Sequence, residues 1–360
     1  MKFARVRLED IAKLAGVHKM TVSRALRDDR RISVNTRKRI QKLARKLGYR
    51  PNPLVSMYQA HVRSGQAVNY QATIGWINDH ENQNYWHNAP WTRGLFEGAL
   101  KRAKEMGYTI DEIWLDKVDV NDPDENIKRY IRIIRARGIH GIILPCSSLY
   151  SHAFHLWPDL AVAVVGLQHG ISRLHAPLKP TTQNVYHTVS FDYFGNMRLI
   201  CEKLREAGYR RIGLLIGTWL DAHSDHQYRG SFLAQQLDWP RADHVPILFE
   251  DNTERNPSPQ LAKWLDRYNP EVVICSSNLV SSWLKKTGKC IPENVGLAHL
   301  YLAEDVLGWS GIDPNMSEVG SAAVDLIIQQ LRLNERGFPQ TCHDLFISGR
   351  WVEGQTTKTP

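Results

Sequence analysis

The stretch HKMTVSRAL, residues 18–26, places long polar side chains on one side of a short helical pattern. Its apolar residues share one face by the 3.6-residue period, and the other face presents four side chains: Lys19, Met20, Ser23 and Arg24. A guanidinium can bind guanine O6 and N7 in a bidentate fork, and an ammonium can donate to guanine or to a phosphate. A thioether has no strong hydrogen-bonding group, so it would contact a thymine methyl or fill space. This is chemistry suited to reading DNA bases.

Two further helices are needed to hold that face in place. LEDIAKLA, residues 8–15, has a helical apolar face, and Gly16 after it supplies the positive φ that a tight turn between helices needs. A third helix is predicted from Val34 to Leu47, with Ser33 as its N-cap. Its outer face is basic: Arg37, Lys38, Lys42, Arg45 and Lys46. Together the patterns predict a helix-turn-helix whose second helix enters the major groove by its first turns.

The charge distribution assigns a polyanionic partner to this part of the chain alone. Residues 1–64 hold 17 Lys and Arg against four Asp and Glu, a net of +13, whereas the whole chain of 360 residues has a formal net charge of +9. The remainder therefore carries −4. A small basic head on a mildly acidic body indicates that the head binds a polyanion.

The head resembles the DNA-binding domain of the lactose-repressor family of transcription regulators. The motifs DIAKLAGVHKMTVSRAL, ISVNTRKRI and LGYRPNP follow in the family's order and spacing across residues 6–53. The resemblance implies a homodimer that places one recognition helix on each half-site of a double-stranded operator. Lys19 and Met20 would then choose base pairs, and Arg24 would read a base edge. The remaining contacts, to phosphates or as caps, would come from His18, Thr21, Ser23, Ser33 and Arg37, with His18 standing where the family usually has a small hydroxyl residue.

A hinge follows the head. Asn52 is a good N-cap and Pro53 a good first residue for a helix that is too short to be stable alone. In the family such a helix forms on operator DNA and wedges a leucine into the minor groove, which kinks the duplex. Here the wedge position is Tyr58, with Leu54 and Met57 as alternatives. The hinge residues expected at the DNA are Asn52, Leu54, Val55 and Tyr58.

Beyond the hinge, short apolar runs alternate with amphipathic helical stretches. Strands are predicted at 73–77, 110–115, 141–145, 162–167, 187–192, 211–217, 245–250, 272–277, 295–301 and 343–351, with a last helix at 316–333. This alternation predicts an α/β body with two parallel sheets, each covered on both faces. We expect a head at 1–50, a hinge at 51–71 and a two-lobed body at 72–360, with the chain crossing between lobes near 168–185 and 302–342.

The body resembles the periplasmic-binding-protein-like body of the same family, most clearly in VSFDYFGNMRLICEKLREAGYRRIGLL and YRGSFLAQQL. That implies an effector between the lobes, and Arg229 matches the family arginine that clamps effector oxygens. Ligands of open α/β sheets lie beyond the carboxyl ends of strands, where aromatic rings and polar groups suit a sugar or nucleoside. The residues expected there are Trp76, Asn78, Tyr85, Trp86, Trp219, Asp221, Arg229, Ser277, Asn278 and Tyr301, the last roughly replacing a family aspartate. A core position suits each tryptophan equally well, and a surface loop suits Asp221.

An enzyme and a secreted solute-binding protein are the competing classes. The acidic and histidine residues of DAHSDH, 221–226, fit no metal-ligand spacing, and neither GxSxG nor a phosphate-binding loop is present. We therefore expect no catalysis, no metal and no cofactor. No apolar run reaches 18 residues, the N-terminus lacks an apolar signal core, and the five cysteines are scattered. These features favour the cytoplasm over a membrane or secretion.

The sequence thus predicts a cytoplasmic transcription regulator whose operator affinity is controlled by a small molecule. A repressor is favoured, although an activator would share the same layout. The alternative is a regulator that has lost its ligand response. A third possibility, a constitutive architectural DNA binder, would not need a two-lobed body. A response to a ligand would distinguish the predicted regulator from such a binder. Because no heptad segment follows the final predicted strand, we expect a dimer and not a tetramer.

Overall fold

The computed structural model describes residues 8–26, 31–47, 72–78, 82–88, 90–114, 123–145, 159–166, 186–251, 256–302 and 306–358. The chain divides into two compact units, Met1–Asn69 and Tyr70–Pro360. The described part of the first unit is helical, and the second contains two sheets. Within the described residues, no helix is long and apolar enough to cross a membrane.

Three short helices of the first unit surround a small apolar core. They are α1 (Leu8–Ala15), α2 (Lys19–Leu26) and α3 (Val34–Lys46). Each helix contributes residues at its helical period, and six are buried: Ile11, Ala12, Val22, Ala25, Ile40 and Ala44. The predicted helix-turn-helix with a supporting third helix is confirmed.

The arrangement of α1 and α2 is fixed by a glycine turn and by α3. Gly16 has a φ of +64°, a conformation that residues with a Cβ rarely adopt. From α3, Arg39 Nη2 donates to Ala15 O at 3.1 Å, and Gln41 Nε2 donates to Ala25 O at 3.0 Å. These bonds satisfy carbonyls that the ends of α1 and α2 leave without intrahelical partners.

The second unit alternates strands and helices. Its described strands are β1 (Ala72–Asn78), β2 (Tyr108–Trp114), β3 (Gly141–Pro145), β4 (Ala161–Val165), β5 (His187–Phe191), β6 (Ile212–Ile216), β7 (Leu248–Phe249), β8 (Val272–Cys275), β9 (Gly296–His299), β10 (Ser310–Asp313), β11 (Asp344–Ile347) and β12 (Arg350–Val352). Its described helices are α4 (Tyr85–Asn88), α5 (Pro90–Glu105), α6 (Pro123–Ala136), α7 (Tyr193–Glu206), α8 (Thr218–His223), α9 (Gln227–Leu237), α10 (Pro259–Tyr268), α11 (Leu279–Lys286) and α12 (Met316–Leu333), with a 3₁₀ turn at Arg241–Asp243.

The strands form two six-stranded sheets. Sheet 1 has the order β11-β5-β4-β3-β1-β2 and is parallel throughout. Sheet 2 has the order β12-β10-β9-β8-β6-β7 and is parallel except at its edge, where β12 runs antiparallel to β10. Central strands such as GIILP (β3) and AVAVV (β4) are buried at every position, as expected for parallel strands covered on both faces. The predicted pair of sheets is confirmed.

Helices α5 and α12 pack tightly on sheet 1. Glycines allow their backbones to approach: a Cβ on Gly320 would lie 2.0 Å from Leu95 O, and one on Gly98 would lie 2.0 Å from Ser317 O. Neither position therefore accepts a larger side chain without moving a helix. This contact anchors the long C-terminal helix to the first lobe.

The chain first crosses between the sheets later than the sequence predicted. β5 still pairs with β4, with Ala163 opposite His187, so the crossover runs through α7 between Phe191 and Ile212. The expected crossover at 168–185 was wrong because that segment connects two neighbouring strands of sheet 1. Residues 167–185 themselves lie outside the described residues.

Two further crossovers follow near the C-terminus. α12 leads from β10 of sheet 2 to β11 of sheet 1, and Ser348 and Gly349 lead on to β12 of sheet 2. The single strand predicted at 343–351 was therefore wrong, because each half pairs with a different sheet. Ile347 pairs with the last residue of β5, and Arg350 pairs with Asp313, the last residue of β10. The carboxyl ends of both sheets thus converge on these crossovers.

Candidate DNA interface and effector site

The outward face of α2 is accessible, as its helical period requires. Its five predicted contact residues are exposed or half-buried: Lys19, Met20, Thr21, Ser23 and Arg24. Met20 is 53% exposed although it is apolar, so it covers no part of the core. Within the described residues, the Arg24 side chain makes no ion pair or hydrogen bond. Its guanidinium is therefore available to a partner outside the helix.

His18 caps α2 in an unusual manner. Its ring Nδ1 accepts a hydrogen bond from the Met20 N–H at 3.2 Å, and its carbonyl accepts from the Thr21 N–H at 2.8 Å. An imidazole nitrogen thus serves one of the amide groups that a helix start leaves without a partner. α2 is therefore capped at its N-terminus although a histidine stands where a hydroxyl residue is expected.

Lys19 is held by a residue that sequence reasoning missed. Its ammonium forms an ion pair with the Glu9 carboxylate of α1, and both side chains are about half exposed, at 54% for Lys19 and 50% for Glu9. The two residues are ten positions apart, across the turn at Gly16, so neither helix pattern alone shows the pair. The contact ties the first residue of α2 to the first turn of α1.

The start of α3 carries the cap that the sequence predicted. Ser33 Oγ accepts from the Thr36 N–H at 3.3 Å and donates to Thr36 Oγ1 at 2.9 Å. The Arg37 N–H donates to Ser33 O at 2.9 Å, and the Arg37 side chain is half-buried. The basic face of α3 is exposed at three described side chains: Lys38, Lys42 and Lys46. The hinge residues Asn52, Leu54, Val55 and Tyr58 lie outside the described residues.

Two predicted contacts of the first lobe, Trp76 and Trp86, occupy the core. Trp76 is fully buried in β1, and its ring meets Trp86 at 5.3 Å and Phe96 at 5.0 Å, both edge-to-face. Trp86 is buried as well, and Tyr85 packs on it at 5.4 Å. These rings pack against one another near the carboxyl end of β1. Of the three predicted contacts Trp76, Tyr85 and Trp86, Tyr85 is half-buried and the two tryptophans are buried.

Asn78 ends β1 and is also fully buried. Its Nδ2 donates to Gln83 O at 2.7 Å and to Glu112 Oε1 at 2.8 Å. The second oxygen of Glu112 lies 2.8 Å from His87 Nε2. Asn78 therefore positions the segment after β1 and links it to β2.

In the second lobe, most candidate residues gather at one edge. β6, β8 and β9 are neighbours in sheet 2, and Trp219, Ser277 and Tyr301 each follow the carboxyl end of one of them. Because parallel strands end at the same edge, their following segments lie side by side. This is the edge that converges with the carboxyl end of sheet 1.

Asp221 is the buried centre of this group. It is 4% exposed, and its Oδ2 lies 2.8 Å from His226 Nδ1 and 3.4 Å from Arg229 Nη2. Among the described residues, the other oxygen, Oδ1, has no hydrogen-bond partner. Arg229 also lies over the Phe249 ring at 5.8 Å. A buried carboxylate thus orients an arginine that keeps an accessible face.

Trp219 differs from Trp76 and Trp86. It is 68% exposed and stacks on the His223 ring, with centroids 4.6 Å apart and planes 20° apart. His223 thus stacks on Trp219, whereas the Asp221 carboxylate contacts His226. In the part of the chain that the structure describes, no three His, Cys, Asp or Glu side chains come together as metal ligands.

The other two strands of this edge present polar groups. Ser277 Oγ accepts from the Leu279 N–H at 3.3 Å, and Asn278 is exposed at the start of α11. Tyr301 OH donates to Ser276 O at 3.3 Å, and its ring packs edge-to-face on the buried His299 at 5.1 Å. Phe249 and His299 are neighbours of the candidate site that sequence reasoning missed. No local pattern distinguishes them from other strand residues.

The chain is similar to known proteins in sequence and in fold. Residues 7–52 match the family described as bacterial regulatory proteins, lacI family. The HTH-type transcriptional regulator MalR of Streptococcus pneumoniae is 22% identical, over 97% of this chain and 99% of its own length. Residues 7–52 therefore form a DNA-binding domain of the lacI family. The chain is a DNA-binding transcription regulator and not an enzyme.

Solved structures share the fold of the whole chain. A lac repressor dimer bound to operator and the anti-inducer ONPF has a TM-score of 0.54 at 15% identity, covering 98% of this chain and 99% of its own. The transcriptional regulator CelR in complex with cellobiose has a TM-score of 0.53 at 18% identity, covering 98% and 100%. These lacI-type structures bear out an N-terminal helix-turn-helix followed by a two-lobed body.

Proposed function

We propose that this lacI-family chain is a cytoplasmic repressor that binds a near-palindromic operator as a homodimer. The observation that carries the proposal is the α2 face, on which Lys19, Met20 and Arg24 project from a helix-turn-helix. Lys19 and Met20 choose base pairs, and Arg24 reads a base edge. The other DNA contacts come from His18, Thr21, Ser23, Ser33 and Arg37 and from the hinge residues Asn52, Leu54, Val55 and Tyr58.

A small molecule bound between the lobes controls this binding. Trp219 offers an exposed ring face, Arg229 a restrained cation, and Ser277, Asn278 and Tyr301 polar groups at one sheet edge. Ring faces with convergent polar groups suit a sugar or a nucleoside-like effector. CelR, a regulator of the same fold, is a cellobiose complex in its solved structure, which supports a sugar. Asp221 orients Arg229. Tyr85 faces the effector from the first lobe, and the buried Asn78, Trp76 and Trp86 support the segment that carries it.

The coupling runs through the hinge. We divide the chain into a head at 1–50, a hinge at 51–71 and a body at 72–360. Effector binding changes the closure of the lobes, and this change alters the DNA contacts of the hinge segment. The difference in hinge contacts between the two states is the coupling free energy, typically about 1–3 kcal/mol. No cofactor takes part.

The test is selection of purified full-length protein against a randomised duplex library at two salt concentrations. Enrichment of a palindrome is the expected result, and phosphate contacts make its affinity fall steeply with salt. Equal binding of all sequences would contradict specific operator reading. The enriched duplex then serves as a probe in a screen of sugars and nucleosides. An Arg229→Ala variant should keep operator binding and lose at least about tenfold in effector affinity; unchanged affinity removes Arg229 from the site.

A further inference from the structure

The Glu9–Lys19 ion pair places a negative charge beside the residue that begins the recognition helix. Glu9 lies in the first turn of α1, Lys19 is the first residue of α2, and the turn at Gly16 brings them together. Both side chains are about half exposed, so the pair lies at the surface of the head. An exposed ion pair contributes little to stability, so its main consequence is where it holds the ammonium.

A lysine has a flexible four-carbon stem and three rotatable N–H donors. With one donor engaged by Glu9 Oε1, two remain for acceptors such as guanine O6 and N7. The same ammonium could instead move to a phosphate, which binds any sequence by releasing counterions. A carboxylate next to that phosphate would be repelled by it. Glu9 therefore opposes the sequence-independent placement of Lys19 more strongly than the placement on a base edge.

We infer that Glu9 is a specificity-determining residue that restrains the Lys19 ammonium toward a base edge and weakens binding to DNA of arbitrary sequence. Glu9 need not touch DNA for this role, because it acts through Lys19. The inference rests on the proposed reading of DNA by α2. Arg24 offers the contrast: among the described residues it has no ion pair, and its planar fork needs no second residue to match guanine.

The experiment compares full-length wild type, Glu9→Gln, Lys19→Gln and the double variant on two duplexes. One is the selected operator and the other is a scrambled duplex of equal length, each titrated at four salt concentrations. We expect Glu9→Gln to bind the scrambled duplex about two- to fivefold more tightly, with little change on the operator. The slope of log K against log salt on the scrambled duplex should steepen by about 0.9 for each Lys19 that moves to a phosphate. In the Lys19→Gln background, Glu9→Gln should no longer change the ratio of the two affinities.

Asp10→Asn is the matched control, because Asp10 is an exposed acid in the same helical turn. It should leave the ratio of operator to scrambled affinity as in wild type. An equal gain on both duplexes, the same gain without Lys19, or the same gain from Asp10→Asn would show a general charge effect and overturn the inference. If wild type selects no operator, the proposed function fails, while the scrambled-duplex titrations still decide whether Glu9 restrains Lys19.

Discussion

On α2, the side chains proposed to meet DNA project from the surface, whereas Asp221 in the body is 4% exposed and bound to His226 and Arg229. The side chains of the DNA face are thus not among the buried core residues of the head. The candidate effector site is part of the packing of its lobe. The difference teaches that function and stability are separable in the head and coupled at the effector site.

The largest expected effect comes from the core of the head. Ile40→Ala removes a fully buried side chain from the core, which has six buried residues in the described part of the head, and should cost about 2–5 kcal/mol. Because so small a unit has a low free energy of unfolding, the head should unfold and lose DNA binding. The body should keep its own thermal transition in calorimetry. A single transition that shifts as a whole would show that head and body unfold together.

Arg24→Ala sharpens the comparison from the other side. Loss of a bidentate base contact should reduce discrimination between the operator and its single-base variants by about 1–3 kcal/mol. The free energy of unfolding should stay within about 0.5 kcal/mol of wild type, because Arg24 has no partner among the described residues. Fluorescence anisotropy on operator variants and denaturant titration measure the two quantities. Arg24→Lys, which keeps the charge but not the fork, should also lose discrimination; retained preference would remove Arg24 from base reading.

Asp221→Ala should show the reverse balance. It removes the buried acceptor shared by His226 and Arg229 and should cost the body about 1–2 kcal/mol, while operator affinity without effector stays unchanged. We discount the larger value for a charged hydrogen bond because both partners are partly exposed and can be hydrated. Denaturation of the body and operator titration check the two parts. Unchanged stability would mean that desolvation of the carboxylate cancels its bonds.

The smallest effect concerns the cap of α2. His18→Ala removes the acceptor of the Met20 N–H and should lower head stability by about 1 kcal/mol. His18→Ser should restore it, because a hydroxyl can accept the same bond. Thermal unfolding of the head, followed by far-UV circular dichroism, measures the change. Equal stability of all three proteins would show that the imidazole contact contributes nothing.

The helices of the head could be predicted from the sequence because their determinants are local. Apolar spacing, Gly16 and Ser33 fix α1, α2 and α3 to within a residue or two. The Glu9–Lys19 pair was missed because it depends on how two helices meet. Even so, opposite charges at the starts of α1 and α2 were visible in the sequence.

The body was less predictable because strand pairing is not local. Nine strand positions were found from apolar runs, but β10 (SGID) carries too short an apolar signal, and residues 245–250 form only the two-residue β7. The pairing of β5 with β4 moved the first crossover past residue 191. Burial at the effector site also depends on distant elements, so Trp76 in the core and Trp219 at the surface looked alike in sequence.

The most direct test of the central claim, that α2 chooses the operator, is a repeated library selection with Met20→Gln. Gln can bind adenine N6 and N7 through both groups of its amide, which a thioether cannot do. The variant should enrich a new base at one symmetric pair of positions, in favour of adenine, and keep the rest of the palindrome. An enriched sequence identical to that of wild type would contradict base choice by this face of α2.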